Sequence, residues 1–425
     1  MKMWKALALV LSFVIVPGGL ALLRSDAPTE APTGYQTPTY SEDSGSKSIG
    51  NGLTGPNGET FASTQAVFEE TDGVDKGLGP IYNAQSCAAC HQNPVTGGAS
   101  QITEFRVGHK RDGRFVNPTI MINNGQTAVP NRSLVNDRAM CPEAQQLAPA
   151  SEDIRTFRMS LSTLGDGFIE AIPDSTLLKI AKQQRALSNG RITGQAIRVP
   201  VGEAPGKTAI GRFGWKDQHA SLLSFSADAY LNEQGITSRL QMVDSTSVCK
   251  TTTDPEDHVD ASGNSDIDRF AAFMRGTLAP PVDPKAFYTP KAQAGAQIFN
   301  QIGCATCHVT SITTAPEGTL VNGGAFAVPE ALANKTIHPY SDFLLHDIGT
   351  GDGIQQNGPP ETADKLRTAP LWGLRTRDRL MHDGLSATRE NAILRHSGEA
   401  SSVTRAYRQL NGTQKQQLLT FINSL

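Results

Sequence analysis

The apolar positions of the chain fall into three regimes. Residues 6–16 are apolar apart from Ser12, follow Lys2 and Lys5, and stop at Pro17, Gly18 and Gly19. That run is too short to span a bilayer. It predicts an export signal over 1–24, with Gly19-Leu20-Ala21 as a cleavage site and a retained N-terminal anchor as the alternative. Residues 25–49 carry Pro, Thr, Ser, Glu and Gly without apolar periodicity and read as a disordered tether.

From residue 50 onward a helical period recurs in two matching places. "SDIDRFAAFMRGTLAPP" sets Ile267, Phe270, Ala271 and Met274 on one face, opens with Ser265 three residues before Asp268, and closes at Gly276 and Pro280. "TQKQQLLTFINSL" sets Leu418, Phe421, Ile422 and Leu425 at the same spacing. Each of these helices ends a stretch holding one Cys-x-x-Cys-His. The predicted fold is therefore mainly α, with two tandem modules, 50–280 and 286–425, joined by the Pro-rich Ala279 to Pro284. The first module carries a long irregular insertion with short β runs such as "AIRVPV".

Composition narrows the partners. The chain has 425 residues, 38% hydrophobic and 19% charged, with a net charge of -3. It can bury a substantial core, and it offers no basic footprint for nucleic acid or an anionic membrane.

The cysteines carry the chemistry. "SCAACHQNP" holds Cys87, Cys90 and His91, and "GCATCHVT" repeats the pattern with Cys304, Cys307 and His308. One such motif arises by chance in a chain of this composition with a probability of about 0.002, and two are far rarer. Two thiols can reach the two vinyl groups on one porphyrin edge, and the imidazole that follows can swing under the iron. Zinc held by all four cysteines, or a dithiol pair, are the alternatives, but a dithiol needs no histidine. An exported chain with both histidines favours two covalently bound haem c groups. Cys141 and Cys249 remain, and in an oxidising compartment they are expected to form a disulfide, with two buried thiols as the other reading.

The second module resembles a cytochrome c from end to end, with Gly295 and Phe299 on the amphipathic run leading into its motif, where cytochromes c pack their first helix against the last. "FLLHDIGTGDG", "LRTAPLWGLRTRDRLMHDG" and "ENAILRHSGEA", with "LGDGFIEAIPDSTL", "RFGWKDQHASLLSFSADAYLNEQGIT" and "DIDRFAAFMR" in the first module, resemble the bacterial di-haem oxidoreductase family. That family is related to the di-haem cytochrome c peroxidases and the methylamine-utilisation di-haem enzymes. The resemblance implies two cytochrome c-like haem modules and a small c-type cytochrome as electron donor; related peroxidases hold a calcium ion between the modules, and the sequence leaves open whether this chain does.

The axial positions decide reactivity. The peroxidases commonly supply a methionine to the second haem fourteen residues after a turn histidine. Here the turn is "MHDG" with His382, and His396 stands at that spacing, which implies a bis-histidine second haem with His308 and His396 as iron ligands. For the first haem, His91 is the proximal ligand. His109, eighteen residues past it in a Gly, Lys, Arg and Asp loop, is the candidate removable ligand, with His219 as its rival. Glu170, among Phe168, Ile169, Ala171 and Ile172, is the candidate catalytic base; an edge-strand glutamate facing water is the other reading. Trp215 and Trp372 read as aromatics between the haems or as core. The function expected is a periplasmic peroxidase-like oxidoreductase that reduces hydrogen peroxide or a related oxidant at the first haem. An electron-transfer cytochrome, or an oxidase of a thiol or protein partner, are the alternatives. The long insertion favours the enzyme, because a carrier needs no substrate pocket.

Overall fold

The computed structural model describes residues 27–35 and 50–425, so the predicted export signal and most of the predicted tether lie outside the described residues. The part of the tether that is described lies along the body. Thr29–Glu30 runs parallel to Lys335–Ile337, which pairs on its other side with Ile312–Thr313. Further on, Arg375 Nη2 donates to the Tyr35 hydroxyl at 2.6 Å.

The expectation of a mainly α fold is overturned. Helix accounts for 32% and strand for 17% of the chain, the strands in many small sheets. The reason lies in the insertion. Thr103–Arg111 pairs antiparallel with Ile154–Met159, placing Phe105 opposite Phe157, and Leu134–Val135 extends the sheet beside it. At its end Asp112 and Gly113 take φ of 53° and 74° and return the chain into Arg114–Val116. Two consecutive positive φ values at Asp-Gly make the tight turn whose twist matches a hairpin. Val107 then packs with Ile120, Ile122, Val129 and Val135 in a small core of its own.

The described residues contain eleven α-helices: α1 (Phe61–Glu69), α2 (Cys87–Cys90), α3 (Asp166–Glu170), α4 (Asp174–Leu187), α5 (Leu222–Ala229), α6 (Asp266–Gly276), α7 (Pro284–Phe287), α8 (Pro290–Gln301), α9 (Arg389–Leu394), α10 (Ser401–Gln409) and α11 (Gly412–Ile422). Helix α6 is capped as its sequence predicts, with Asp268 accepting from the Ser265 backbone N–H at 2.9 Å. It buries Ile267, Phe270, Ala271 and Met274 against α1, α3 and α5. In the second module α8 crosses α11 so closely that a Cβ on Gly295 would lie 2.1 Å from the Gln417 carbonyl oxygen, which leaves room for glycine alone.

The largest apolar cluster draws from both sides of the Pro-rich linker, joining Phe68, Phe168 and Phe273 to Ile312, Leu332, Phe343 and Trp372. A second one, around Phe299, Tyr407, Leu418 and Phe421, belongs to the second module. Cys141 and Cys249 are joined by a disulfide, closing a loop of 108 residues across the insertion.

Candidate cofactor sites

The first motif is a single helical turn. The Ser86 hydroxyl accepts from Ala89 N at 3.1 Å, and His91 N closes the turn on the Cys87 carbonyl at 3.0 Å. This presents Cys87, Cys90 and His91 to a cavity walled also by Phe68, Phe225, Phe270 and Met274. The His91 Nδ1 is held by the Gly98 carbonyl at 3.1 Å. Burial pushes the Cys87 thiol far above its ordinary range and the Cys90 thiol up to about 12.

The second motif, just after α8, lines a separate cavity with Cys304, Cys307 and His308. The four thiols therefore belong to two cavities and do not converge on one zinc tetrahedron. His396 lines this same cavity. The His308 Nδ1 is engaged by the Tyr340 carbonyl at 2.9 Å and the His396 Nδ1 by the Ala392 carbonyl at 2.7 Å. In both rings Nε2 is then the nitrogen open to a metal. Burial pulls the His308 pKa down to about 4 and lowers that of His396, so both imidazoles are neutral, as ligation requires.

Both cavities carry buried cationic groups with spare donors. Arg158 Nη2 in the first, and Arg377 Nη2 and Arg389 Nε in the second, are buried without a hydrogen-bond partner. Such orphans call for an acceptor. The carboxylate edge of a porphyrin is one, and with an apolar wall and Cys-x-x-Cys-His in each cavity the residues fit two haems.

The cavities share a wall. Trp215 and Arg367 line both. The Trp215 Nε1 donates to the Met159 carbonyl at 2.8 Å, while Met159 N donates to the His382 carbonyl at 2.7 Å. The His382 ring meets the indole edge-on with centroids 6.2 Å apart. The Arg367 Nε donates to the Gly214 carbonyl at 2.8 Å.

Residues 144–425 match the family model described as "Di-haem oxidoreductase, putative peroxidase". The chain belongs to this family. It is a di-haem oxidoreductase, an enzyme, and its family's cofactors are haems. No curated protein matches it. Among solved structures, it is 20% identical to a MauG-like protein associated with microbial copper homeostasis, over 37% of this chain and 52% of that one, with a TM-score of 0.25. The chain thus spans about half the length of that protein. The di-haem peroxidase BthA of Burkholderia thailandensis is 13% identical, over 94% of each chain, with a TM-score of 0.30. Hydrazine synthase of Kuenenia stuttgartiensis is 11% identical, over 91% of this chain and 98% of that one, with a TM-score of 0.37.

In this di-haem oxidoreductase the residues expected around the first haem are not all brought together. His109 does not line the first cavity. It sits in the strand Thr103–Arg111, its Nδ1 2.8 Å from Glu152 Oε2, because the segment expected as a loop is the hairpin described above. His219 pairs with Asp228 at 3.1 Å and stacks on Phe225, so it stands behind the cavity wall. Glu170 is neither the expected cavity base nor an edge-strand residue. It ends α3, fully buried, accepting from Arg275, from Leu222 N at 2.8 Å and from Asn322 Nδ2 at 2.8 Å, and it lines neither cavity. His382 lines the second cavity beside Trp215, and Trp372 belongs to the large core. For calcium, the described all-carboxylate cluster of Asp244, Asp254 and Glu256 already holds the Lys250 ammonium, 2.9 Å from Asp244 and 2.7 Å from Glu256.

Four carboxylates line the first cavity, Glu104, Asp166, Asp228 and Glu233, and none was singled out from sequence; Glu104 and Glu233 stand together. Against the cost of burial, Arg106 at 2.7 Å and Arg158 hold the Glu104 carboxyl below its ordinary range. Glu233 accepts from Asn83 Nδ2 at 2.6 Å, and burial together with the charge on Glu104 pushes its pKa up to about 7. Glu233 lies in the π-helical segment Tyr230–Gln234 that continues α5. Such a widened turn often marks a functional site, but it has no signature in apolar periodicity.

Proposed function

We propose that this di-haem oxidoreductase reduces hydrogen peroxide, or a related hydroperoxide, in the first cavity, with electrons delivered through the second from a small c-type cytochrome in the periplasm. In this reading Cys87 and Cys90, and Cys304 and Cys307, would attach the haems, and His91, His308 and His396 would hold the irons, the last two on the second. The observation that carries it is an asymmetry. The second cavity is lined by His308 and His396, whereas His91 is the sole histidine lining the first, and a glutamate tuned to about 7 stands there.

Haem, when bound, supplies the electrons and the electrophilic iron for O–O cleavage. The chain moves the proton. Glu233 accepts it from the incoming hydroperoxide and returns it to the departing oxygen, a transfer suited to a pKa near the working pH. Asn83 orients the carboxyl, and the anionic Glu104 keeps it from ionising early. Trp215, fixed on the shared wall, is the aromatic bridge for electrons between the cavities.

The electron-carrier alternative requires a thioether at the sixth position of the first iron, from Met159 or Met274, which line that cavity. Electron paramagnetic resonance of the ferric and half-reduced protein, followed by stopped-flow addition of peroxide, separates the two. One high-spin and one low-spin haem with rapid peroxide reaction is expected; two persistent low-spin signals and no reaction would sink the peroxidase reading.

A further inference from the structure

Behind Arg367, which lines both cavities, lies a carboxyl group whose oxygens accept no hydrogen bond. Asp217 is 0% exposed, and neither carboxyl oxygen has a hydrogen-bond partner. It sits in the turn that carries Gly214, Trp215 and Gln218 to the first cavity, a turn closed by Phe213 N donating to the His219 carbonyl at 3.0 Å. The nearest cation is Arg367, whose Nε is 3.9 Å from Asp217 Oδ1 and already donates to the Gly214 carbonyl. That arginine lines both cavities.

A buried carboxylate without donors is penalised by the loss of water, so the group rests in its neutral form until its surroundings change. The groups facing Asp217 are Arg367, Asp342, Arg212 and His346. Arg212 is committed to Asp174, and His346 is held between Asp342 and Glu399 at 2.8 Å each. Burial drives the Asp217 pKa well up, Arg367 opposes it, and Asp342 reinforces it. The carboxyl is thus an acid whose ionisation waits for more positive charge nearby. Oxidation of a cofactor beyond Arg367 is such a change.

We propose that Asp217 is a redox-linked proton site shared by the two cofactors: it releases one proton to solvent as one electron leaves the pair, and takes one up as an electron returns. The proposal rests on the di-haem reading. Charge balances at each step, since the added positive charge on the oxidised side is offset by the carboxylate formed 3.9 Å from Arg367. Asp342, whose charge acts on Asp217, is joined through His346 Nε2 and Nδ1 to Glu399, whose side chain is 13% exposed.

The test is a potentiometric titration of both haems in the purified holoprotein between about pH 5 and 9, in the wild type and in Asp217→Asn. Coupling of one proton to one electron gives about 59 mV per tenfold change in proton concentration. The wild type is expected to show a slope approaching this value in at least one haem, and the variant to lose it. A redox-difference infrared spectrum should show a carboxylic acid band that appears on reduction, shifts on aspartate carbon-13 labelling, and is missing from the variant. Wild-type midpoints independent of pH overturn the proposal whether or not the variant folds, as does an Asp217→Asn protein that keeps the slope. Failure of the di-haem reading is read separately, as a protein mass lacking two haems, and the proposal falls with it.

Discussion

The Arg275 Nε lies 2.6 Å from Glu170 Oε2, with both groups walled in by α3, α5 and α6. Glu170 is a structural anchor, so removing it strands a buried guanidinium. Glu170→Ala is expected to lower stability by about 3–5 kcal/mol in chemical denaturation. The folded fraction should retain its peroxide turnover per haem, because the residue lines neither cavity.

Glu233 carries the opposite expectation. Glu233→Gln should reduce peroxide turnover by about 10²–10⁴-fold with little change in melting. Its pH profile follows from the raised pKa. A base must be ionised to accept a proton, so the wild-type rate should climb as pH rises through about 7 and level off above it. Stopped-flow rates across that range should show the limb in the wild type and no such limb in the variant.

His396→Met tests the second iron. A thioether donates less to ferric iron than imidazole, so the second haem's potential should rise, on the order of 0.1 V within the ~0.8 V span that axial ligands cover. The first haem's spectrum should stay unchanged. His109→Ala, by contrast, should leave both haem spectra alone and cost at most about 1 kcal/mol from its partly exposed pair with Glu152.

Replacing Cys141 and Cys249 together by alanine frees a loop of 108 residues. A loss of about 2–4 kcal/mol is expected in chemical denaturation, with the visible spectra of the haems unaltered.

What could be read from sequence follows the range of the physics behind it. Helix α6 announced itself because its cap, its apolar face and its stop are all local to Ser265 through Pro280. The His396 position was found by spacing within a resemblance, and the structure places it on the cavity of His308. The short β segments expected in the insertion are present, but around His109 the Gly, Lys, Arg and Asp that suggest a loose gate form a hairpin, and Asp112-Gly113 is a strong signal for one. Glu170 was misjudged because apolar neighbours in sequence say that a side chain is buried, not which wall it faces. Only the fold supplies Arg275 and Asn322, from 105 and 152 residues away. Glu233 stayed hidden because neither its widened turn nor Glu104, its neighbour on the cavity, is visible along the chain.

The two bonds made by Met159 give the inserted sheet a further meaning. Its carbonyl holds the Trp215 indole and its N–H donates to the His382 carbonyl, so one residue at the end of Ile154–Met159 pins the indole to the backbone that carries His382. The strand acts as a ruler laid between the two cavities. Deleting a single residue from it would move the pin by about 3.3 Å and turn its side chains to the opposite face. In the peroxidase reading proposed above, the distance between the two cavities is held by a segment that supplies no iron ligand.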